Sequence, residues 1–229
     1  MTVKKAAIFV EGQTEMVFVE RLLKEIAGEH KITLKTVSAG SNLVLTGSGN
    51  EDDKSFFALI VDCQGDSRVK SKILDNRTGL IRENYEVAIG LLDLYPLPKS
   101  DLPKVIQGLN TGVPTKDLVI CFCLSVMEIE SWFIQEYTHF ERIDPSLTRE
   151  TIRNSVGYDL EEELAEDIEH PSELLRDIYS LGGMGYSKRK RQVERTVDAL
   201  DYEILYLHTK DQSKSLKYFI GHIDQFVSS

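Results

Sequence analysis

Apolar residues in this chain fall in short bursts separated by stretches of helical period. AAIFV (6–10) is an apolar run read as a buried strand. Beyond Glu11-Gly12 the pattern changes. Phe18, Val19, Leu22, Leu23 and Ile26 recur at helical spacing behind Thr14-Glu15, a good helix start, so a helix is predicted to about His30. ITLKTVS (32–38) alternates apolar and polar, as a half-buried strand does. Residues 39–54, rich in Gly, Ser and Asn, read as a loop. FFALIVD (56–62) reads as a second buried strand, and 67–84 as a helix with basic side chains on one face. EVAIGLLDLY (86–95) is nearly continuous apolar chain, typical of a central parallel strand. A long connection over 96–114, with a short helix near 103–109, leads to the strand LVICFCL (118–124) and a helix over MEIESWFIQEYTHF (127–140).

This alternation predicts an α/β fold, a mainly parallel central sheet flanked by helices. From about residue 145 the chain is polar and mostly helical, with one strand candidate, YEILYLH (202–208). The expected organisation is an α/β domain over 1–144 and a mostly helical C-terminal region over 145–229 packed on it.

Composition narrows the class. No apolar run approaches the roughly 20 residues of a membrane helix, so no membrane association is expected. Cys63, Cys121 and Cys123 are odd in number and lie within or at the ends of apolar runs. That argues against a disulfide framework and for a reducing, cytoplasmic setting. No second cysteine pair or histidine cluster completes a zinc site. The formal charge of −10 does not favour non-specific nucleic-acid binding, although a local basic patch or bound cations supply attraction. Residues 159–169 hold seven acidic side chains and no basic one, and 186–195 hold five basic ones.

Ligands of parallel α/β sheets sit outside the carboxyl ends of the strands. Glu11, Asp62 and Asp93 fall at such ends, and Glu128 and Glu130 lie just past the strand 118–124. Converging carboxylates repel unless hard cations neutralise them, and magnesium suits an all-oxygen site. A lone acid after a strand is more often a turn or cap, and that reading is favoured for Asp62. Asp93, between apolar neighbours, needs a partner. Glu128 and Glu130 point opposite ways if both are helical, and both face one site only if 126–130 is extended.

Val10-Glu11-Gly12-Gln13-Thr14-Glu15 resembles the opening motif of Toprim domains, closest to overcoming-lysogenisation-defect nucleases and short bacterial Toprim-like proteins. Leu91-Leu92-Asp93-Leu94-Tyr95 with Leu97-Pro98, Glu128-Ile129-Glu130-Ser131-Trp132, and Pro171-Ser172 followed by Tyr186-Ser187-Lys188 are similar to the later motifs of those short proteins. The resemblance implies that Glu11 is a general acid/base. It implies that Glu11 and Asp93 supply ligands to magnesium or manganese, joined by Glu128 or Glu130, and that the protein is a metal-dependent nuclease or other phosphoesterase. A place in bacterial phage defence with an ATPase partner is also implied. The family's second motif is Asp-x-Asp, whereas position 95 here is Tyr95. That departure supports an alternative, a catalytically degenerate module that binds nucleic acid or a partner protein.

Three further features carry two readings each. LGGMGYSKRKR (181–191) lacks the order of a phosphate loop. Its basic residues, Lys188 foremost, either contact a substrate's phosphates or form a helix face paired with the acidic run 159–169. Trp132 and Phe133 either stack on a base or, more often for such a pair, fill the core. The five histidines are scattered, and none is assigned a role.

Overall fold

The computed structural model describes residues 3–28, 30–38 and 54–228, without the side chains of Asp66 and Ser67. The loop expected over 39–54 lies outside these residues apart from its last position. Five strands form one parallel sheet: β1 (Lys4–Val10), β2 (Ile32–Ser38), β3 (Phe56–Asp62), β4 (Val87–Asp93) and β5 (Val119–Ser125), in the order β2-β3-β1-β4-β5. Between them run α1 (Gln13–Ala27), α2 (Asp66–Arg82) and α3 (Leu102–Asn110). The expected α/β class therefore holds, and the sheet is wholly parallel. Among the described residues, no helix is long and apolar enough to cross a membrane.

Contacts divide the chain into two compact units. The first holds residues 1–92, 101–124 and 221–229, and the second holds 93–100 and 125–220. Within the first unit, β1 lies between β3 and β4, with Val10 beside both Asp62 and Leu91. Phe9, Leu59, Val61, Ala88 and Phe122 share its buried core, and their apolar runs have no polar face because helices cover both sides of the sheet. Gly90 is required by packing. A Cβ there would lie 2.7 Å from the Phe122 ring and 3.0 Å from Val69, so the glycine lets β4 sit flush in the core.

The second unit is helical: α4 (Glu130–Gln135), α5 (His139–Ile143), α6 (Arg149–Val156), α7 (Pro171–Leu181), α8 (Lys190–Ala199) and a helix over Lys214–Ser228 that runs on into the first unit. Its core contains Trp132, fully buried and stacked on Phe219 at 5.8 Å, and Phe140 against Tyr179 at 5.8 Å. Trp132 and Phe133 are thus core residues, as the more frequent reading has it.

Two expectations fail here. The expected strand 202–208 is helical, with a wide turn over Leu205–Thr209. Its buried positions Tyr202, Leu205 and Thr209 follow helical spacing, and the Asp201 side chain caps the turn by accepting from Ile204 N at 3.0 Å. An apolar pattern this short fits either period. The single helix expected over 127–140 is two, α4 and α5. The break falls at the buried carboxylate Glu136, which accepts hydrogen bonds from Thr138 Oγ1, from Arg142 Nη2 at 3.1 Å and from Asp201 N at 3.0 Å.

Beside Glu136 lies His139, fully buried. Its Nε2 is 3.0 Å from the Tyr179 hydroxyl and its Nδ1 is 2.6 Å from the Glu136 carbonyl. Burial pushes the imidazole down to about 3, so it is neutral in the folded protein. The folded state binds this proton less well than the unfolded chain. The contribution is therefore complete above the ordinary histidine value and is lost as pH falls from about 6.5 toward 3. Within that window, urea denaturation is expected to show a His139 contribution of about 1.4 kcal/mol per pH unit. His139→Gln should show a flatter dependence.

Candidate functional site

The motif that holds Glu11 spans the end of β1, the turn and the start of α1. Glu15, at the third helical position, accepts a hydrogen bond from Gly12 N at 2.9 Å through Oε2 and so ties off the helix start. The Glu11 carbonyl accepts from Gly65 N at 2.8 Å, which fixes the turn after β1 against the turn after β3. Asp62 uses Oδ1 to accept from Gln64 N at 2.8 Å, the turn role favoured for it. Glu11 and Asp62 belong to the first unit; Asp93, Glu128, Glu130 and Lys188 all belong to the second.

Within the second unit those four residues come together. Asp93 is the last residue of β4, and its Oδ1 accepts from Ser125 Oγ and from Ile129 N at 3.0 Å. That bond pins the turn linking Ser125 to α4. Leu94 N donates to the Ser125 carbonyl at 3.1 Å and Tyr95 N to the Met127 carbonyl at 2.8 Å, which fastens the same two stretches along their backbones. The turn needs Met127 at φ 63°, a left-handed conformation uncommon outside glycine. Because Glu128 precedes the helix and Glu130 opens it, the two carboxylates are not forced to opposite faces.

Both converge on the ammonium of Lys188, 2.9 Å from Glu128 Oε1 and 3.1 Å from Glu130 Oε2. Glu128 also accepts from Ser172 N at 2.9 Å and Ser172 Oγ at 3.0 Å, and Glu130 Oε1 accepts from the Tyr186 hydroxyl at 2.8 Å. Glu130 Oε2 has the ammonium near it but no aligned hydrogen bond, so its contact there is chiefly electrostatic. Lys188 itself sits at φ 56°. A lysine held in left-handed backbone among carboxylates stores about 1–3 kcal/mol of strain, a feature concentrated at functional sites.

The environment separates the two glutamates. Burial raises the Glu130 carboxyl and prevails; the Lys188 charge is the main opposing influence, the Glu128 charge adds to the rise, and the Tyr186 hydrogen bond opposes it. Burial also acts on Glu128, yet the Ser172 N–H and the Lys188 charge outweigh it and hold this carboxyl below its ordinary value. Burial pulls Lys188 down, but Glu130, Asp93 and Glu128 together push it well above the usual lysine value. Glu128 is thus shifted toward its ionised form, Glu130 toward its protonated form, and Lys188 toward its cation. Such separation is how a site assigns acid and base.

The donor set has the chemistry a hard cation prefers, carboxylate oxygens only. As placed, it does not fit one. No group of three or more His, Cys, Asp or Glu among the described residues has metal-holding geometry, and Ser172, Tyr186 and Lys188 already meet the oxygens of Glu128 and Glu130. Ammonium, not magnesium, matches this arrangement. The ring of Tyr95 meets His170 edge-on at 5.7 Å.

The alternative reading of Lys188, as part of a face paired with the acidic run, fails. That run finds other cations: Asp159 pairs with Arg153 at 3.1 Å, Glu161 with Arg149, and Asp167 with Lys99. Sequence reasoning missed Ser125 and the Ile129 amide. Ser172 and Tyr186 appear in the motifs only as pattern residues, without the bonds that make them supports.

Fold and site together define a parallel α/β protein with a lysine-centred carboxylate cluster in its helical unit. Comparison with family models, with curated proteins and with solved structures finds no match.

Proposed function

We propose that this chain is a phosphoesterase acting on nucleic acid, with Asp93, Glu128, Glu130 and Lys188 as its centre. The observation that carries the reading is Lys188: a cation held at positive φ against Glu128 and Glu130, where purely structural ion pairing needs no strained backbone. The Lys188 side chain is 38% exposed and its ammonium has three N–H donors, so beside its two carboxylates it can still present one to a phosphodiester oxygen, and electrostatic contacts of this kind weigh most in such chemistry. Burial inclines Glu130 toward its protonated form, while Glu128, held below its ordinary carboxyl value, keeps Lys188 charged and in position. The general acid/base role of Glu11 rests on the resemblance of its motif and not on geometry.

Magnesium or manganese dependence rests on that resemblance as well, and no step is assigned to a metal. It is tested by titrating magnesium and following thermal unfolding. If magnesium is a cofactor, the melting temperature rises at millimolar metal, and Glu11→Gln and Asp93→Asn abolish the rise. No shift in the wild type rules metal dependence out and leaves Lys188 as the cation of the site.

A second reading, a module that binds nucleic acid or an ATPase partner without cutting, is favoured by Tyr95 at the place of the family's second aspartate. Cleavage assays on plasmid and single-stranded substrates separate the two readings: turnover supports the enzyme, and retention without turnover supports the binder.

A further inference from the structure

Beside the lysine–carboxylate cluster, and within the same unit, lies a cleft of ≈ 350 Å³ whose lining includes Tyr95, Leu97, Met127, Ile168, Glu169 and His170. We propose that it is a subsite for one unstacked nucleobase bearing an exocyclic amine; this rests on, and deepens, the reading of the chain as acting on nucleic acid.

Four observations carry it. The volume falls at the low end of small-molecule pockets and suits a single base or nucleoside. Two large apolar side chains in its wall stay open to solvent, Tyr95 and Leu97, each 42% exposed. An aromatic ring and a thioether are the surfaces on which a base stacks. The ring of Tyr95 is held by His170, edge-on at 75°, so the platform is preformed.

The rim gives the preference. Asp167 is occupied by Lys99, whereas Glu169 is exposed and forms no ion pair among the described residues. A carboxylate accepts hydrogen bonds and donates none, so it favours the exocyclic amino groups of adenine, cytosine or guanine over thymine, which has no amino group and a single ring N–H. The fourth observation is position. Met127 adjoins Glu128 in sequence, Tyr95 stands two residues past Asp93, and the Tyr95–Met127 backbone bond ties both to the cleft. Two residues of extended chain span about 7 Å, within reach of one nucleotide whose phosphate meets Lys188.

The experiment measures binding to the full chain of adenosine, thymidine, a single-stranded adenine-containing oligonucleotide, and the same oligonucleotide with abasic sites. Tyr95→Ala, Tyr95→Phe and Lys188→Met are compared with the wild type. The subsite predicts saturable adenosine binding tighter than thymidine binding, and base-bearing strands preferred over abasic ones. Tyr95→Ala should weaken the base-dependent part roughly ten- to a hundredfold, and Tyr95→Phe should restore it. Adenosine carries no phosphoester, so its binding should survive Lys188→Met, while oligonucleotide binding should fall. Equal affinity for base-bearing and abasic strands, or adenosine binding untouched by Tyr95→Ala, overturns the subsite. Adenosine binding through Tyr95 without any oligonucleotide binding supports the subsite and overturns the nucleic-acid reading instead.

Discussion

Lys188→Met is expected to lower folding stability by about 2–3 kcal/mol near neutral pH. Removing one partner of a fully buried ion pair costs about 3–5 kcal/mol. Lys188 falls below that because its side chain is 38% exposed and water screens part of the loss. What remains is large because Glu130 is fully buried and loses its only cation among the described contacts. The loss should also depend on pH. Without the ammonium, the Glu130 carboxyl, already raised by burial and by the Glu128 charge, rises further. A carboxyl that binds its proton more tightly in the folded state stabilises that state at low pH, and the contribution is lost as pH rises through its folded value. The variant should therefore lie closer to wild type at acidic pH than at neutral pH. Paired denaturation curves at the two pH values check this. A stability equal to wild type at neutral pH contradicts the idea that the lysine holds the cluster together.

The second large effect concerns Glu11 and its neighbour in the same motif. If Glu11 transfers a proton, Glu11→Gln should lower phosphodiester cleavage by about 10²–10⁴. Glu15→Ala should cost about 1 kcal/mol of stability, because it removes the hydrogen bond from Gly12 N that closes the start of α1. Its cleavage rate should change only a few-fold. Initial rates and melting curves on both variants separate a reacting carboxylate from a capping one. The reverse pattern, with rate lost in Glu15→Ala and kept in Glu11→Gln, contradicts the assignment.

The sheet was legible because apolar runs such as AAIFV, FFALIVD and LVICFCL are short, end at turn residues and alternate with helical-period segments. The period failed at 202–208, where apolar spacing fits a strand or a helix and the cap supplied by Asp201 decides. It also failed at 136–138, where a buried carboxylate ends α4 by collecting hydrogen bonds from residues as distant as Asp201. In the site, the acids were visible as acids near strand ends. The convergence of Glu128 and Glu130 was not, because it depends on Met127 adopting positive φ, and methionine gives no sign of that. Nor did the sequence reveal that Lys188 reaches both glutamates from about 60 residues away. That pairing is tertiary and comes from folding 186–189 back over the start of α4.

Tyr95 illustrates a different limit. Read against a motif, it is a missing ligand. In the fold its amide holds the Met127 carbonyl and its ring lines a cleft with His170.

The most direct test of the proposed centre is the rate of phosphodiester cleavage by the purified full chain, on plasmid and single-stranded substrates with and without magnesium. Wild type should be compared with Lys188→Met and Glu130→Gln. The account predicts turnover by the wild type, a loss of about 10²–10³-fold in Lys188→Met, and a pH optimum altered by Glu130→Gln. Cleavage undiminished in Lys188→Met, or no cleavage of either substrate under any metal condition, would contradict it.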